Sequence, residues 1–437
     1  MRFNYFLSML AFCLFIYSRQ IFSQPVQIIP DHSSGIYQTG ETVTWEIRCN
    51  PDSNLQSLRF SIRKGELLEI DHGIIVPHRG IAKLGYTFNS PGSILVEVRW
   101  GTGDSWQKRT VGGALASPEQ FALSAFKPAD FDSFWQAKLD VLSKIPAEPK
   151  LEKVESGKNG IQYWKIIMNN ISGSHIYGQL ARPDPGKKFP ALLIVQWAGV
   201  YPLQKDWVVG KAEDGWLVLN IEPHDLPIDD PAEKYKDQFE GPLKNYWAIG
   251  NDDRDQSYFL RMYLSCYRAA EYLTSRADWN GKTLVVMGDS QGGLQALMTA
   301  GLFSPVTAAL ALVPAGFDML GPEAGRKGGW PQWYDWTEGK DPAKVHETSR
   351  YYDVANFVTR IHCPVLVGVG LIDETCPPEG ILAGLNQFST PKEIMVLPLS
   401  GHQDWKGSQS AFRDERDKVW LPALLKGEKA PVKDTIP

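Results

Sequence analysis

Between residue 24 and about residue 115, apolar side chains fall on alternate positions. Val43, Trp45, Ile47 and Cys49 alternate with polar residues, as do Leu58, Phe60 and Ile62, and then Ile94, Val96, Val98 and Trp100. A period of two predicts strands with one buried face. Gly40-Glu41, Pro51-Asp52 and Pro91-Gly92 mark turns between them. The pattern predicts a small all-β domain over residues 24–115, an immunoglobulin-like sandwich. The character changes at 112-GGALASPEQFALSAFKPADFDSFW-135, which reads as a linker running into a helix through Trp135, Leu139 and Leu142. Asp130 or Asp132 is positioned to cap that helix.

From about residue 160 the pattern is different. Ala191–Gln196, Trp216–Ile221, Thr283–Gly288, Ala308–Val313, Val365–Gly370 and Ile394–Leu397 are short runs rich in Val, Ile and Leu. Such runs suit parallel strands buried on both faces. Between them, residues 255–275 place Phe259, Tyr263, Cys266, Ala270 and Leu273 at four-three spacing, one apolar face of a helix. This alternation predicts a doubly wound, mostly parallel α/β domain over residues 116–430.

Composition narrows the class. With 43% hydrophobic residues in 437, the chain has ample material for a large core and is not globally disordered. Arg2 followed by the apolar run 5-YFLSMLAFCLFIY-17 and a small residue, Ser23, predicts a cleaved secretory leader over residues 1–23 and a secreted or periplasmic protein. A membrane anchor is the competing reading, but a dozen apolar residues are too few to span a bilayer. Cys13 follows Phe12, not a small residue, which argues against lipid attachment there. Loss of Arg2 and Arg19 with the leader leaves 43 basic against 50 acidic side chains. That acidic balance gives no support for nucleic-acid binding. Of the remaining cysteines, Cys49, Cys266, Cys363 and Cys376, none forms a C-x-x-C pair, and no zinc-ligand spacing is present. Cys363 and Cys376 flank a strand and its loop, where a disulfide is conceivable.

The chemistry concentrates in 283-TLVVMGDSQGGLQ-295, where an aliphatic run enters, Gly288-Asp289-Ser290-Gln291-Gly292 turns, and a helix-compatible run leaves. This is the strand–elbow–helix setting of a nucleophilic serine in an α/β-hydrolase. A serine hydroxyl needs a base to take its proton and a third group to orient that base. Both follow in the expected chain order. Asp373 comes just after Val365–Gly370 in 371-LIDETCPP-378, and His402 just after Ile394–Leu397 in 399-LSGHQDW-405. The carboxyl ends of parallel strands share one sheet edge, so the three can converge. Each also has a plain reading: a glycine-rich turn, a loop-capping aspartate with Glu374 as its competitor, one of eight histidines. The ordered trio is what favours a serine hydrolase. An oxyanion hole needs backbone N–H groups, expected from Gln291 and from the loop after 193-LIVQWAGVY-201, where Val200 and Tyr201 are the alternatives. In 329-GWPQWYDW-336, Trp330, Trp333 and Trp336 either line the rim of the site or form the packed underside of a cap, the commoner use of such a cluster. His224 and Asp225 also follow a strand end and are assigned no chemistry.

The string from Gly288 to Gly293, Asp373-Glu374-Thr375-Cys376-Pro377-Pro378 and Gly401-His402 resemble the acetyl xylan esterase/cephalosporin-C deacetylase family of carbohydrate esterases. The helix 258-YFLRMYLSCYRAAEYL-273 and the opening 130-DFDSFW-135 resemble it too, so the likeness spans about residues 125–425. The resemblance implies Ser290 as nucleophile, His402 as general base, Asp373 as its orienter, and Gln291 and Val200 as oxyanion donors. It implies no metal and no organic cofactor, an acetylated oligo- or polysaccharide as substrate, and a homo-oligomer as an assembly to test. The chain departs from the family pattern at 220-NIEPHDLP-227, where members carry Arg-Gly-Gln, and at Gln403, where they carry glutamate. It therefore reads as a divergent branch. The rival expectations are a secreted serine peptidase with an accessory β-domain and a non-catalytic glycan-binding homologue. The chain has no motif to anchor a peptide terminus, and its intact Ser, Asp and His argue against the second.

Overall fold

The structure, a computed structural model, describes residues 25–433 apart from 54, 102–105 and 185; the expected leader, residues 1–23, lies outside the described residues. Eight strands come first: β1 (Val26–Pro30), β2 (Ile36–Tyr37), β3 (Thr42–Cys49), β4 (Leu58–Lys64), β5 (Leu68–Ile75), β6 (Ile81–Thr87), β7 (Gly92–Trp100) and β8 (Lys108–Ala116). They form two sheets, β1-β3-β6 and β2-β8-β7-β4-β5. The alternating residues expected from the sequence meet between them: Val43, Trp45 and Ile47 pack with Ile62, Val96 and Val98. One expectation changes. β7 is buried along both faces, because its second face is turned to the rest of the chain. The stretch 112–116, read as linker, is the end of β8, which pairs in register with β7 from Trp100↔Lys108 to Gly92↔Ala116. The connection proper runs from residue 117 to residue 130.

A nine-stranded mixed sheet follows, built from β9 (Lys150–Val154), β10 (Ile161–Asn169), β11 (His175–Pro183), β12 (Phe189–Ile194), β13 (Leu217–Ile221), β14 (Trp279–Asp289), β15 (Ala308–Leu312), β16 (Val365–Gly370) and β17 (Lys392–Leu397). Its order is β17-β16-β15-β14-β12-β13-β11-β10-β9. The six apolar runs read from the sequence are the parallel strands β12 to β17. The antiparallel strands β9, β10 and β11 were not expected.

Helices cover both faces. On one lie α1 (Phe131–Ser143), α4 (Tyr258–Ser275), α5 (Gln291–Leu302), α6 (Pro342–Tyr352), α7 (Val354–Val358) and α8 (Pro378–Leu385), sharing the larger core. On the other, α2 (Asp206–Glu213) and the helical segment 410–425 share the smaller one. The remaining helix, α3 (Ala232–Glu240), lies at the surface over Tyr235. Asp130 does occupy the N-cap position of α1, but its side chain does not cap; it accepts hydrogen bonds from Arg254 at 2.7 Å and from the Tyr351 hydroxyl. Cys49, Cys266, Cys363 and Cys376 are all buried free thiols, so the 363–376 bridge does not form. Among the described residues, no helix is long and apolar enough to cross a membrane.

Trp135 shows how α1 is held. Its ring is fully buried, stacks on Tyr263, meets Tyr352 and Phe357 edge-on, and its Nε1–H donates to the Tyr351 carbonyl at 3.0 Å. Trp135→Ala therefore removes a large buried side chain and orphans nothing but a carbonyl. The expected loss is about 3–5 kcal/mol of unfolding free energy, measured by urea denaturation.

Candidate active site

β14, at the middle of the sheet, runs straight into α5, and Ser290 is the single residue between them. Its backbone is strained, with φ 57° and ψ −119°. That strain is held by neighbours: the Ser290 N–H donates to Leu312 O at 2.8 Å, and its carbonyl accepts from Ala315 N at 3.0 Å. A Cβ on Gly288 would come within 2.5 Å of the Gly292 backbone, and one on Gly292 within 2.5 Å of Val195 O. Both positions need glycine because strand, elbow and helix are pressed together there.

The three residues expected to act together do converge. Ser290 Oγ lies 2.8 Å from His402 Nε2, and His402 Nδ1 lies 2.8 Å from Asp373 Oδ2. The other Asp373 oxygen accepts the N–H groups of Thr375 at 2.9 Å and Cys376 at 2.8 Å, so the carboxylate is oriented by its own loop. With Asp373 as acceptor, the imidazole carries its proton on Nδ1 and presents Nε2 as a base to the serine. Asp373 is fully buried, and Ser290 keeps 9% exposure at the cleft floor. Glu374, the competing acid, points away and pairs with Arg63 and Arg109. Asp373, Cys376 and His402 hold donor atoms within 4.8 Å of one another, the one cluster of metal-ligand type found among the described residues. Burial, and then the nearby Asp373, push the Cys376 thiol well up, and Asp373 and His402 are engaged with each other and with Ser290. The donor set is thus arranged for proton transfer.

The cleft over Ser290 and His402 has a volume of about 720 Å³, and Trp197, Ala198, Trp207, Val313, Trp330 and Thr375 contribute to its wall. It adjoins a second cleft of about 480 Å³ with which it shares Trp197, Trp207, Asp289 and Arg413. Of the expected rim, only Trp330 lines the site. Trp333 is fully buried, with its Nε1–H donated to Trp247 O at 2.7 Å, and Trp336 sits edge-on against Trp247. Trp333 is a packing residue, the common use of such an aromatic cluster, while Trp336, 37% exposed, lies outside the lining of that cleft. Trp197 and Trp207, packed edge to face, take their place. Trp197 was visible in the quoted 193–201 run; nothing in the sequence set Trp207 apart. Val200, the expected second oxyanion donor, packs against the core and is not part of the cleft wall, whereas Ala198 is. Gln291 is the first residue of α5, so its N–H has no partner within the helix.

Two residues without assigned chemistry tie the 196–201 loop to the elbow. The Tyr246 hydroxyl donates to Gln291 Oε1 at 2.5 Å and accepts the Gly199 N–H at 3.3 Å. His224 Nε2 lies 2.8 Å from Gly199 O and Nδ1 lies 2.6 Å from the Tyr258 hydroxyl. A carbonyl only accepts, so His224 carries its proton on Nε2 and Nδ1 accepts from Tyr258. Burial lowers His224 to about 3, and it remains neutral. Glu222, two residues earlier, is also buried, and burial raises its carboxyl well above the usual range.

Residues 115–320 and 329–421 match the acetyl xylan esterase (AXE1) family. The chain belongs to the acetyl xylan esterase family. The acetyl esterase Axe7A of Xylanibacter ruminicola is 32% identical over 408 residues, covering 91% of this chain and 90% of that protein. The share left unmatched is shorter than the β1–β8 region, so that relative extends into it. Among solved structures, the acetyl xylan esterase from Paenibacillus sp. R4 aligns with a TM-score of 0.60 at 23% identity, over 69% of this chain and 98% of that one. Acetyl xylan esterase 1 from Thermoanaerobacterium sp. JW/SL YS485 aligns with 0.60 at 20% identity, over 71% and 97%. These two establish the fold, an α/β-hydrolase with a mixed sheet.

The His224 shift gives a pH prediction. An unfolded histidine titrates near about 6.5, while folded His224 titrates at about 3. Its stabilising contribution is complete above the unfolded value. It is lost as pH falls from about 6.5 towards 3, because only the unfolded chain takes up the proton. Thermal unfolding at about pH 7 and about pH 5 should therefore show a smaller drop in Tm for His224→Gln than for the unmodified chain. Equal drops would assign the acid sensitivity to other groups.

Proposed function

We propose that this protein is a secreted serine carboxylesterase that removes acetyl groups from acetylated sugars and polysaccharide fragments through an acyl-enzyme. One observation carries the reading: the unbroken hydrogen-bonded chain from Ser290 through His402 to Asp373, at the floor of a tryptophan-walled cleft. His402 Nε2 takes the Ser290 proton as Oγ attacks the ester carbonyl. Asp373 holds the imidazole's tautomer and stabilises its charged form. The Gln291 N–H and a second donor from the 196–201 loop receive the developing oxyanion. Ala198, which borders the cleft, is better placed for that second role than Val200. His402 then returns the proton to the departing sugar alcohol, and a water activated by the same nitrogen releases acetate.

Trp197, Trp207 and Trp330 offer apolar faces on which a sugar ring can stack, and the adjoining cleft gives room for a neighbouring unit. The leader over residues 1–23 suits delivery to extracellular polysaccharide. Residues 24–115, the two-sheet region, are proposed as an immunoglobulin-like accessory domain beside a catalytic domain over 116–430.

The test is acetate release from acetylated xylan and acetylated xylose. The unmodified chain should release acetate from at least one, and Ser290→Ala should lose at least about 10⁴-fold in kcat. Silence on both substrates, with Ser290 still labelled by a fluorophosphonate, would keep the serine hydrolase and discard the acetyl-sugar substrate.

A further inference from the structure

Strands β4, β7 and β8 of the β-domain all contact the segment that begins at Asp373. Glu374, the next residue, is gripped by two β-domain arginines: Arg63 Nη2 reaches Glu374 Oε1 at 2.9 Å, and Arg109 Nη2 reaches Oε2 at 2.7 Å. Arg109 is in turn held by Glu97 at 2.6 Å. Burial opposes the charge on Glu374, but the hydrogen bonds from Arg109 and Arg63 prevail and keep its carboxyl below the usual range. Just past the loop, in the first turn of α8, Glu379 Oε2 accepts the Ser93 N–H at 2.8 Å and the Ser93 hydroxyl at 2.7 Å. Between these two pins lie Thr375 and Cys376, whose N–H groups orient the Asp373 carboxylate.

The fit is close along the whole contact. A Cβ on Gly113, in β8, would stand 2.6 Å from Leu371 O. The β4–β5 hairpin enters beside it: Gly65 O accepts the Lys327 N–H at 2.8 Å, and Lys327 Nζ donates to Glu374 O. Glu66, the second turn residue, has φ 58° and only 4% exposure. Burial, and then the charge of Asp373, hold its carboxyl well above the usual range. A domain that was merely tethered would not need contacts at both ends of the segment that orients the catalytic carboxylate.

We infer that the β-domain is a positioning device for catalysis: Arg63, Arg109 and Ser93 clamp both ends of the 373–379 segment, the loop and the first turn of α8, and thereby aim Asp373 at His402. This rests on the triad reading above. Arg63, Arg109 and Ser93 are positioning residues, since none of them lines the cleft over Ser290.

The experiment compares the full-length chain with R63A/R109A, R63K/R109K and S93A, using 4-nitrophenyl acetate, with thermal melts as the check on folding. The clamp predicts that R63A/R109A loses about tenfold to a hundredfold in kcat with KM within about twofold, because the acid is misaimed while the cleft is intact. It further predicts that R63K/R109K recovers part of the loss and that S93A shows a smaller loss of the same kind. Unchanged kcat in folded R63A/R109A and S93A overturns the proposal, and so does a parallel rise in KM with kcat preserved. If R63A/R109A fails to fold, S93A and the lysine variant decide by the same criteria. If the unmodified chain is inert on the ester, the esterase reading fails. The rate of Ser290 labelling by a fluorophosphonate then reads the clamp in its place: slower labelling in the variants supports it and equal rates overturn it.

Discussion

The backbone of Ser290 is the constraint around which the rest is arranged. A non-glycine residue at φ 57° and ψ −119° is in a region that costs of order 1–3 kcal/mol, and it persists only where the surroundings over-determine it. Here they do so from four sides: β14 enters, α5 leaves, Leu312 of β15 takes the N–H, and Ala315 binds the carbonyl. The strain turns Oγ toward His402 while leaving the Gln291 N–H without a partner within α5. A relaxed serine at the same position would give up one or the other.

The same logic extends to the loop after β12. Oxyanion donors act only when they are fixed before charge develops. Gly199 is held by its N–H through Tyr246 and by its carbonyl through His224, and Tyr246 also binds Gln291 on the elbow. The two sides of the proposed oxyanion hole are thus one hydrogen-bonded unit and not two independent loops. His224 suits this role because burial keeps it neutral, with its Nε2–H committed to the carbonyl. Within 220–227, His224 supplies the carbonyl half of this support.

Much of the site was legible in the sequence because it rests on local rules. The elbow glycines, the chain order of Ser290, Asp373 and His402, and the six apolar runs all follow from short-range sterics and burial on both faces of a parallel sheet. What escaped was set by tertiary partners. β9 is largely exposed and β10 mixes buried with half-buried positions, so neither gives an apolar run. Tyr246 has no periodic neighbour to mark it; it matters because two loops meet at its hydroxyl. Trp333 and Trp197 are alike as residues, yet one is sealed beneath the cap and the other is 43% exposed in the cleft wall. The alternation in β7 foretold one buried face, and the other is buried by a partner 286 residues away in the chain, through Ser93 and Glu379.

Ser290, His402 and Asp373 differ in how much support their own elements give. Ser290 is wedged between a central strand and a helix. His402 is held within its loop, where Gln409 donates to the carbonyls of His402 at 3.2 Å and Gly401 at 3.4 Å. Asp373 follows β16, next to the edge strand, and begins a segment that has little sheet around it. A loop so placed gains most from packing outside it, and the β1–β8 region, which packs a buried cluster of its own, supplies that. The acetyl esterase of Xylanibacter ruminicola aligns too far along the chain to lack this region. The two solved esterases are almost fully covered by about seven-tenths of this chain. In this chain the arginines and serine of the β1–β8 region sit on either side of the residues that orient the carboxylate.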